Sequence, residues 1–162
     1  MDKKLLEAIN AQINHELYSS YLYLSMAAYF ESLNFEGFSH WMKVQAQEEK
    51  NHAMKFFEFL SDRDERIALA AIEKPPVDFL SPEEVFKKAL GHEKKVTFLI
   101  NKLYELANKV EDNAAAVLLH WFINEQVEEE KNPTKILEDI KRTKSDPVAL
   151  LMLDRELAKR EG

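Results

Sequence analysis

Four glutamates stand where helical periodicity calls for apolar side chains. Stepping seven residues at a time gives Ile9, Glu16, Tyr23 and Phe30 along one stretch, and Met42, Glu49 and Phe56 along a second. The same step gives Phe86, Glu93 and Ile100, then Phe122, Glu129 and Ile136. Residues so spaced share one helix face. Each carboxylate therefore has bulky apolar neighbours two turns away. A carboxylate buried among them is costly unless it is paired or metal-bound, and several close together resist ionisation. A pair of multivalent cations would remove that cost.

Two of the stretches offer a second ligand three residues away, Glu49 with His52 and Gln126 with Glu129. That spacing puts both side chains on one face. Glu-x-x-His is a recurring unit of di-iron bundles, which usually hold four carboxylates and two imidazoles. Here the fourth stretch presents Gln-x-x-Glu, which leaves one imidazole and an asymmetric shell. The candidate ligands are Glu16, Glu49, His52, Glu93, Gln126 and Glu129. Oxygen-rich ligation favours iron, manganese or magnesium-like ions; the imidazole tilts the choice toward iron, with zinc as a competitor.

Any one of these glutamates also reads as part of a solvated helix face, above all in the run Glu128-Glu129-Glu130 with Glu125 nearby. Glu48, Glu125 and Glu128, beside the proposed ligands, fit either an outer cation site or such a hydrated face. Tyr23 is placed to hydrogen-bond to Glu93 or another ligand, or to donate an electron; it also reads as a half-buried core tyrosine. Trp121 is assigned to packing. His15, His40, His92 and His120 lack comparable partners and read as surface or interface residues.

The elements that must position these groups are helices. Glycine is scarce, with three residues, and strand patterns between turn dipeptides are absent, so the chain reads as all-α. Apolar periodicity predicts long helices over about 3–31, 36–61, 82–109 and 113–142, and a short C-terminal helix over about 147–159. Asp2 is the expected first cap, and Asn34 and Gly37 mark the first break. Ser81-Pro82-Glu83-Glu84 has the form of a capping box with proline at the first helical position. Asp112 and Asp146 open the last two helices. Residues 62–80, with Pro75-Pro76, are too long for a bundle turn and suit one long crossover, with the second and third helices parallel. The 162 residues fit a single domain, a four-helix bundle with a short fifth helix.

Composition narrows the chemistry. With no cysteine, disulfides, thiol catalysis and iron–sulfur clusters are excluded. A formal charge of -7 disfavours nucleic acid and anionic membrane as partners and favours cations. No apolar run is long enough to span a bilayer and the N-terminus reads as an amphipathic helix rather than a signal peptide, so the expected location is cytoplasmic.

Over nearly its whole length the sequence resembles the prokaryotic non-haem ferritins. The likeness rests on Asn14-His15-Glu16-Leu17-Tyr18-Ser19-Ser20-Tyr21-Leu22-Tyr23, Ala46-Gln47-Glu48-Glu49-Lys50-Asn51-His52 and Asn124-Glu125-Gln126-Val127-Glu128-Glu129-Glu130. The resemblance implies a ferritin-like fold, iron storage and ferroxidase activity, with Fe(II) and O2, or H2O2, as substrates. It implies that Glu16, Glu49, His52 and Glu93 hold the first iron or bridge the pair, with Glu49 as a bridge, and that Glu93, Gln126 and Glu129 surround the second. Glu48, Glu125 and Glu128, sharing Glu129, match a third iron site. Tyr23 matches the tyrosine beside the centre. The resemblance further implies a homo-oligomeric shell of 24 subunits, with the fifth helix packing about a symmetry axis.

Three departures qualify it. Lys50 stands where haem-containing relatives place methionine, and Glu129 where they place a second histidine, so no haem is expected. Ala116 and Leu119 occupy places where animal ferritins put channel acids. Pro133 falls four residues past Glu129, predicting a kink or a helix restart capped by Asn132. The rival readings are a di-iron peroxidase or oxidase of the same superfamily, a DNA-protecting mini-ferritin, and a helical scaffold with an inactive centre. The missing cysteines argue against the first, and a full ligand set on one chain argues against the second.

Overall fold

The computed structural model describes all 162 residues. It contains five helices and no strand: α1 (Lys3–Ser32), α2 (Glu36–Ser61), α3 (Pro82–Lys109), α4 (Asn113–Thr143) and α5 (Pro147–Leu157). No helix is long and apolar enough to cross a membrane.

The helix starts follow from side-chain chemistry. Asp2 accepts from the N–H groups of Lys4 and Leu5, Asp112 from Ala115 and Asp146 from Ala149, each relieving an orphan donor of a first turn. Ser81 accepts from Glu84 N–H at 3.2 Å, as a capping box requires. The return bond differs: Glu84 accepts from Leu80 N–H at 2.5 Å, one residue before the cap. The first turn of α2 has no cap from its own flank. Its Phe38 N–H is instead met by Asp154 of α5 at 2.9 Å.

Gly37 corrects one expectation. The break between α1 and α2 is made by Asn34, at φ 59°, whereas Gly37 lies inside the first turn of α2. A Cβ on Gly37 would sit 1.6 Å from the Asp154 carbonyl oxygen, so glycine is needed for α5 to approach. At Pro133 one of the two expected outcomes, the restart, is corrected. α4 runs through it without restarting at Asn132. The ring removes the N–H that Glu129 would have received, and the Thr134 hydroxyl donates to the next carbonyl, that of Glu130, at 2.6 Å.

Side-chain pairings give the topology. Ser20 to Ala46 with Phe30 on Phe38 makes α2 antiparallel to α1, and Gln45 to Glu129 with Phe56 on Phe122 makes it antiparallel to α4. Tyr23 to Glu93 and Phe30 against Phe86 make α1 antiparallel to α3, so α2 and α3 are parallel. The connecting segment travels along α1. Asn10 bonds to Arg66 and Ala68, Asn14 to Ala70 and Ala71, and Ser25 to Pro76, while Phe79 packs on Tyr29. These asparagine contacts satisfy backbone groups that an irregular strap would otherwise leave to water.

The apolar core is in two parts. One cluster of 17 buried residues, with Phe30 stacked on Phe38, fills the end nearest the α1–α2 turn. A second, of 13 residues with Phe56 stacked on Phe122, fills the opposite end. Between them lies a layer of buried polar side chains.

Candidate metal centre

Each long helix sends one glutamate into that layer. Glu16, Glu49 and Glu93 are 1% exposed and Glu129 6%, which settles that they do not belong to a solvated face. His52 and Gln126 are buried with them. Oxygen and nitrogen atoms of Glu16, Glu49 and His52 lie within 4.8 Å of one another, as do those of Glu49, Glu93 and Glu129. Glu49 is common to both groups. The four glutamates have no lysine or arginine partner; the one cationic side chain paired with them is His52, whose Nδ1 lies 3.5 Å from Glu49.

The hydrogen bonds leave acceptor capacity unused. Glu16 Oε1 accepts from Gln12 at 2.8 Å, and its Oε2 is a buried oxygen without any donor. Glu49 Oε1 and Glu129 Oε2 accept from the Gln45 amide at 2.9 and 2.6 Å. Tyr23 donates to Glu93 through a short hydrogen bond. Gln126 spends its amide N–H groups on Glu93 and, at 3.1 Å, on Thr97, so its carbonyl oxygen takes no part in those bonds.

Crowded, dehydrated carboxylates hold protons. Burial, followed by the charge of Glu49, pushes Glu16 and Glu129 each up to about 8, and pushes Glu93 well above the usual carboxylate range. Burial by itself would lower His52, but its bond to Glu49 and the surrounding negative charge outweigh it, raising the imidazole to about 9. Tyr23 is raised by burial and by Glu93. Burial thus favours the protonated forms of these carboxyls, and one oxygen of Glu16 has no hydrogen-bond donor. The carboxylates and one imidazole form two groups sharing Glu49 that could hold a pair of hard or borderline cations, with the Gln126 amide oxygen beside Glu93.

The outer acids behave differently from one another. Glu125 joins His52 and Glu129 in a third group within 4.8 Å. Glu48 is not in that group: its carboxylate is held by Arg160 at 2.5 Å. Glu128 is exposed and in none of the groups. A cleft of about 420 Å³, lined by Glu48, His52, Glu58, Trp121 and Glu125 among others, reaches from the surface to His52. Trp121 closes part of it, with its ring 5.5 Å from the imidazole and Lys55 over its outer face at 4.3 Å. Leu119 is fully buried within its own chain.

Several participants went unremarked in the sequence. Gln12 and Gln45 each precede a candidate ligand by four residues, a repeated Gln-x-x-x-Glu that was present as a signal. His92 is not a surface residue: it is half-buried behind Tyr23, bonded to Ser19 Oγ at 2.7 Å and driven down to about 4 by burial. His40 is tied to the Arg160 carbonyl, and only His120, against Tyr104, lies exposed.

Comparison with known proteins points the same way. Residues 6–143 match the model of the ferritin-like domain family. The chain is 38% identical over 160 residues to a bacterial non-heme ferritin of Staphylococcus saprophyticus, covering 99% of this chain and 96% of that one. Identity to the counterpart of Staphylococcus aureus is 37% over the same length. Among solved structures, it is similar to an open-pore ferritin of the hyperthermophilic archaeon Archaeoglobus fulgidus, with a TM-score of 0.98, 47% identity and 99% of both chains covered. An engineered closed form of that ferritin gives the same TM-score and identity.

Proposed function

Since this chain belongs to the ferritin-like family, we propose that it is an iron-storage subunit that oxidises Fe(II) with O2 at the layer between its two cores. The observation that carries this reading is the convergence of four buried glutamates, one per long helix, with no arginine or lysine to balance them. Two ferrous ions would bring four positive charges to balance the four carboxylates once these are ionised.

Iron is here the substrate. Glu16, His52 and the shared Glu49 receive one ferrous ion; Glu93, Glu129, Glu49 and the Gln126 oxygen receive the other. Each ion gives up one electron, and O2 takes both with two protons to leave hydrogen peroxide. The carboxylates that held protons release them as the ions bind, and Tyr23, bonded to Glu93, is the nearest phenol able to pass a proton or an electron. Hard carboxylate oxygens stabilise the ferric product over the ferrous substrate, which favours the oxidation. Glu125, with Glu129 and His52, provides a third cation position on the side facing the cleft. Hydrogen peroxide is an alternative oxidant for the same two-electron exchange.

A homo-oligomeric shell, of 24 subunits as the family likeness suggests, suits the rest of the surface. On α5, Val148, Leu151 and Met152 are 66%, 45% and 67% exposed, an apolar face with nothing from its own chain upon it. Oxygen uptake tests the catalytic reading. Adding two Fe(II) per chain should consume about one O2 per pair of ions on a fast phase, and Glu49→Ala should abolish that phase because both ions lose a ligand. Equal uptake by wild type and Glu49→Ala would remove the layer from the chemistry. Light scattering of the native protein checks the shell.

A further inference from the structure

Resting on the two-cation reading above, we propose that Arg160, just beyond α5, is a positioning residue of the metal layer and acts through Gln45. The Gln45 amide nitrogen donates to Glu49 of α2 and Glu129 of α4, bracing two proposed ligands on different helices. Those two bonds use both of its N–H donors. Its carbonyl oxygen accepts from Arg160 Nη2 at 2.9 Å.

That third bond fixes which way the amide faces. A guanidinium has donors only. Rotating the amide by half a turn would set N–H against N–H at Arg160 and, once cation binding has ionised the ligands, oxygen against two carboxylates. Arg160 thereby excludes the orientation that would repel both ligands. Its own position is secured on several sides: Nη1 donates to the Trp41 carbonyl at 3.2 Å, Nη2 also reaches Glu48, and the guanidinium lies 4.3 Å over the Trp41 ring. His40 holds the Arg160 backbone oxygen at 2.8 Å. The glutamine on α1 is different in kind. Gln12 braces Glu16 alone, and Gln45 reaches the shared Glu49 only at Oε1 while Oε2 faces His52, so the Glu16–His52 half of the layer depends on Arg160 far less than the Glu129 half.

The consequence is a one-sided effect. Losing Arg160 loosens Glu129 and the Glu129-facing side of Glu49, and so weakens the cation on that side while sparing the one at Glu16 and His52. The test is stepwise anaerobic Fe(II) binding to the full-length, metal-free protein by calorimetry, with Glu129→Ala identifying the dependent step. Arg160→Met keeps the stem over Trp41 and removes the donors. It should weaken the Glu129-dependent step about tenfold and shift the other less than about twofold, within the range seen for groups that orient metal ligands. Arg160→Lys, which keeps one donor for the Gln45 oxygen, should recover most of the loss. In a Gln45→Ala background, Arg160→Met should add nothing.

Unchanged binding in Arg160→Met, equal weakening of both steps, or additive losses in the double variant would overturn the assignment. If Arg160→Met does not fold, Arg160→Lys decides with Gln45→Ala: a loss in both steps, or one that persists when Gln45 is absent, refutes it. Wild-type protein that takes up fewer than two ions per chain refutes the two-cation reading itself, a separate outcome.

Discussion

Proton release on metal binding is the most direct reading of how the centre is charged. Glu16 and Glu129 sit at about 8 and His52 at about 9 in the metal-free layer. At pH 7 the two carboxyls each carry about 0.9 of a proton and the imidazole about one, so these three groups hold nearly three. At pH 9 the same groups hold about 0.7 in total. Glu93, also raised, adds to both figures. Metal ligands must be deprotonated, so filling the layer expels whatever is there. Anaerobic addition of two Fe(II) per chain in weak buffer with a pH indicator should release about three to four protons at pH 7, and about two fewer at pH 9. Excluding oxygen matters, because ferric hydrolysis would add protons of its own. Release of less than one proton at pH 7, or of a number that does not fall by pH 9, would mean that the glutamates are already ionised without cations. The link drawn here between burial, charge and metal would then be wrong.

Other expectations follow from the same contacts. Raised carboxyls bind protons more tightly folded than unfolded, so their contribution is complete below about pH 4.5 and is lost as pH climbs through about 8; His52 loses its own between about 6.5 and 9. Metal-free protein should therefore melt at a lower temperature at pH 8.5 than at pH 6, by calorimetry, and bound divalent ions should protect it more at the higher pH. Gly37→Ala should cost a few kcal/mol and detach α5, seen as faster amide exchange from Pro147 to Leu157, because its methyl meets the Asp154 carbonyl. Tyr23→Phe removes the donor to buried Glu93 and should cost about 1–3 kcal/mol in chemical denaturation, with slower iron oxidation in stopped flow.

The bundle was legible because its signals are local and agree. Three-four periodicity, an aspartate or serine at nearly every helix start, and Pro75-Pro76 in the long connection each report on neighbouring residues, and the fold needs little else. The carboxylates at heptad positions were legible for the opposite reason, as exceptions to that pattern. What escaped was non-local or conformational. Arg160 meets Glu48 across 112 residues, and no spacing rule joins them. Gly37 reads as a breaker until Asp154 is seen against it. Histidines at 92 and 120 look alike in sequence, yet Ser19 and Tyr23 enclose one while the other faces water. The braces Gln12 and Gln45 were spelled out at regular spacing, but glutamine is so ordinary on a helix that only its burial distinguishes it.

The divided core has a mechanical side. Two greasy ends, with Phe30 on Phe38 in one and Phe56 on Phe122 in the other, are joined by a middle storey that wants protons or metal before it will cohere. At mid-height the shafts are joined by polar contacts alone, the amides of Gln12, Gln45 and Gln126, the Tyr23 phenol and the His52 imidazole. Loading would act as a rivet through all four shafts at once. The stiffness of the column would then rise and fall with its cargo.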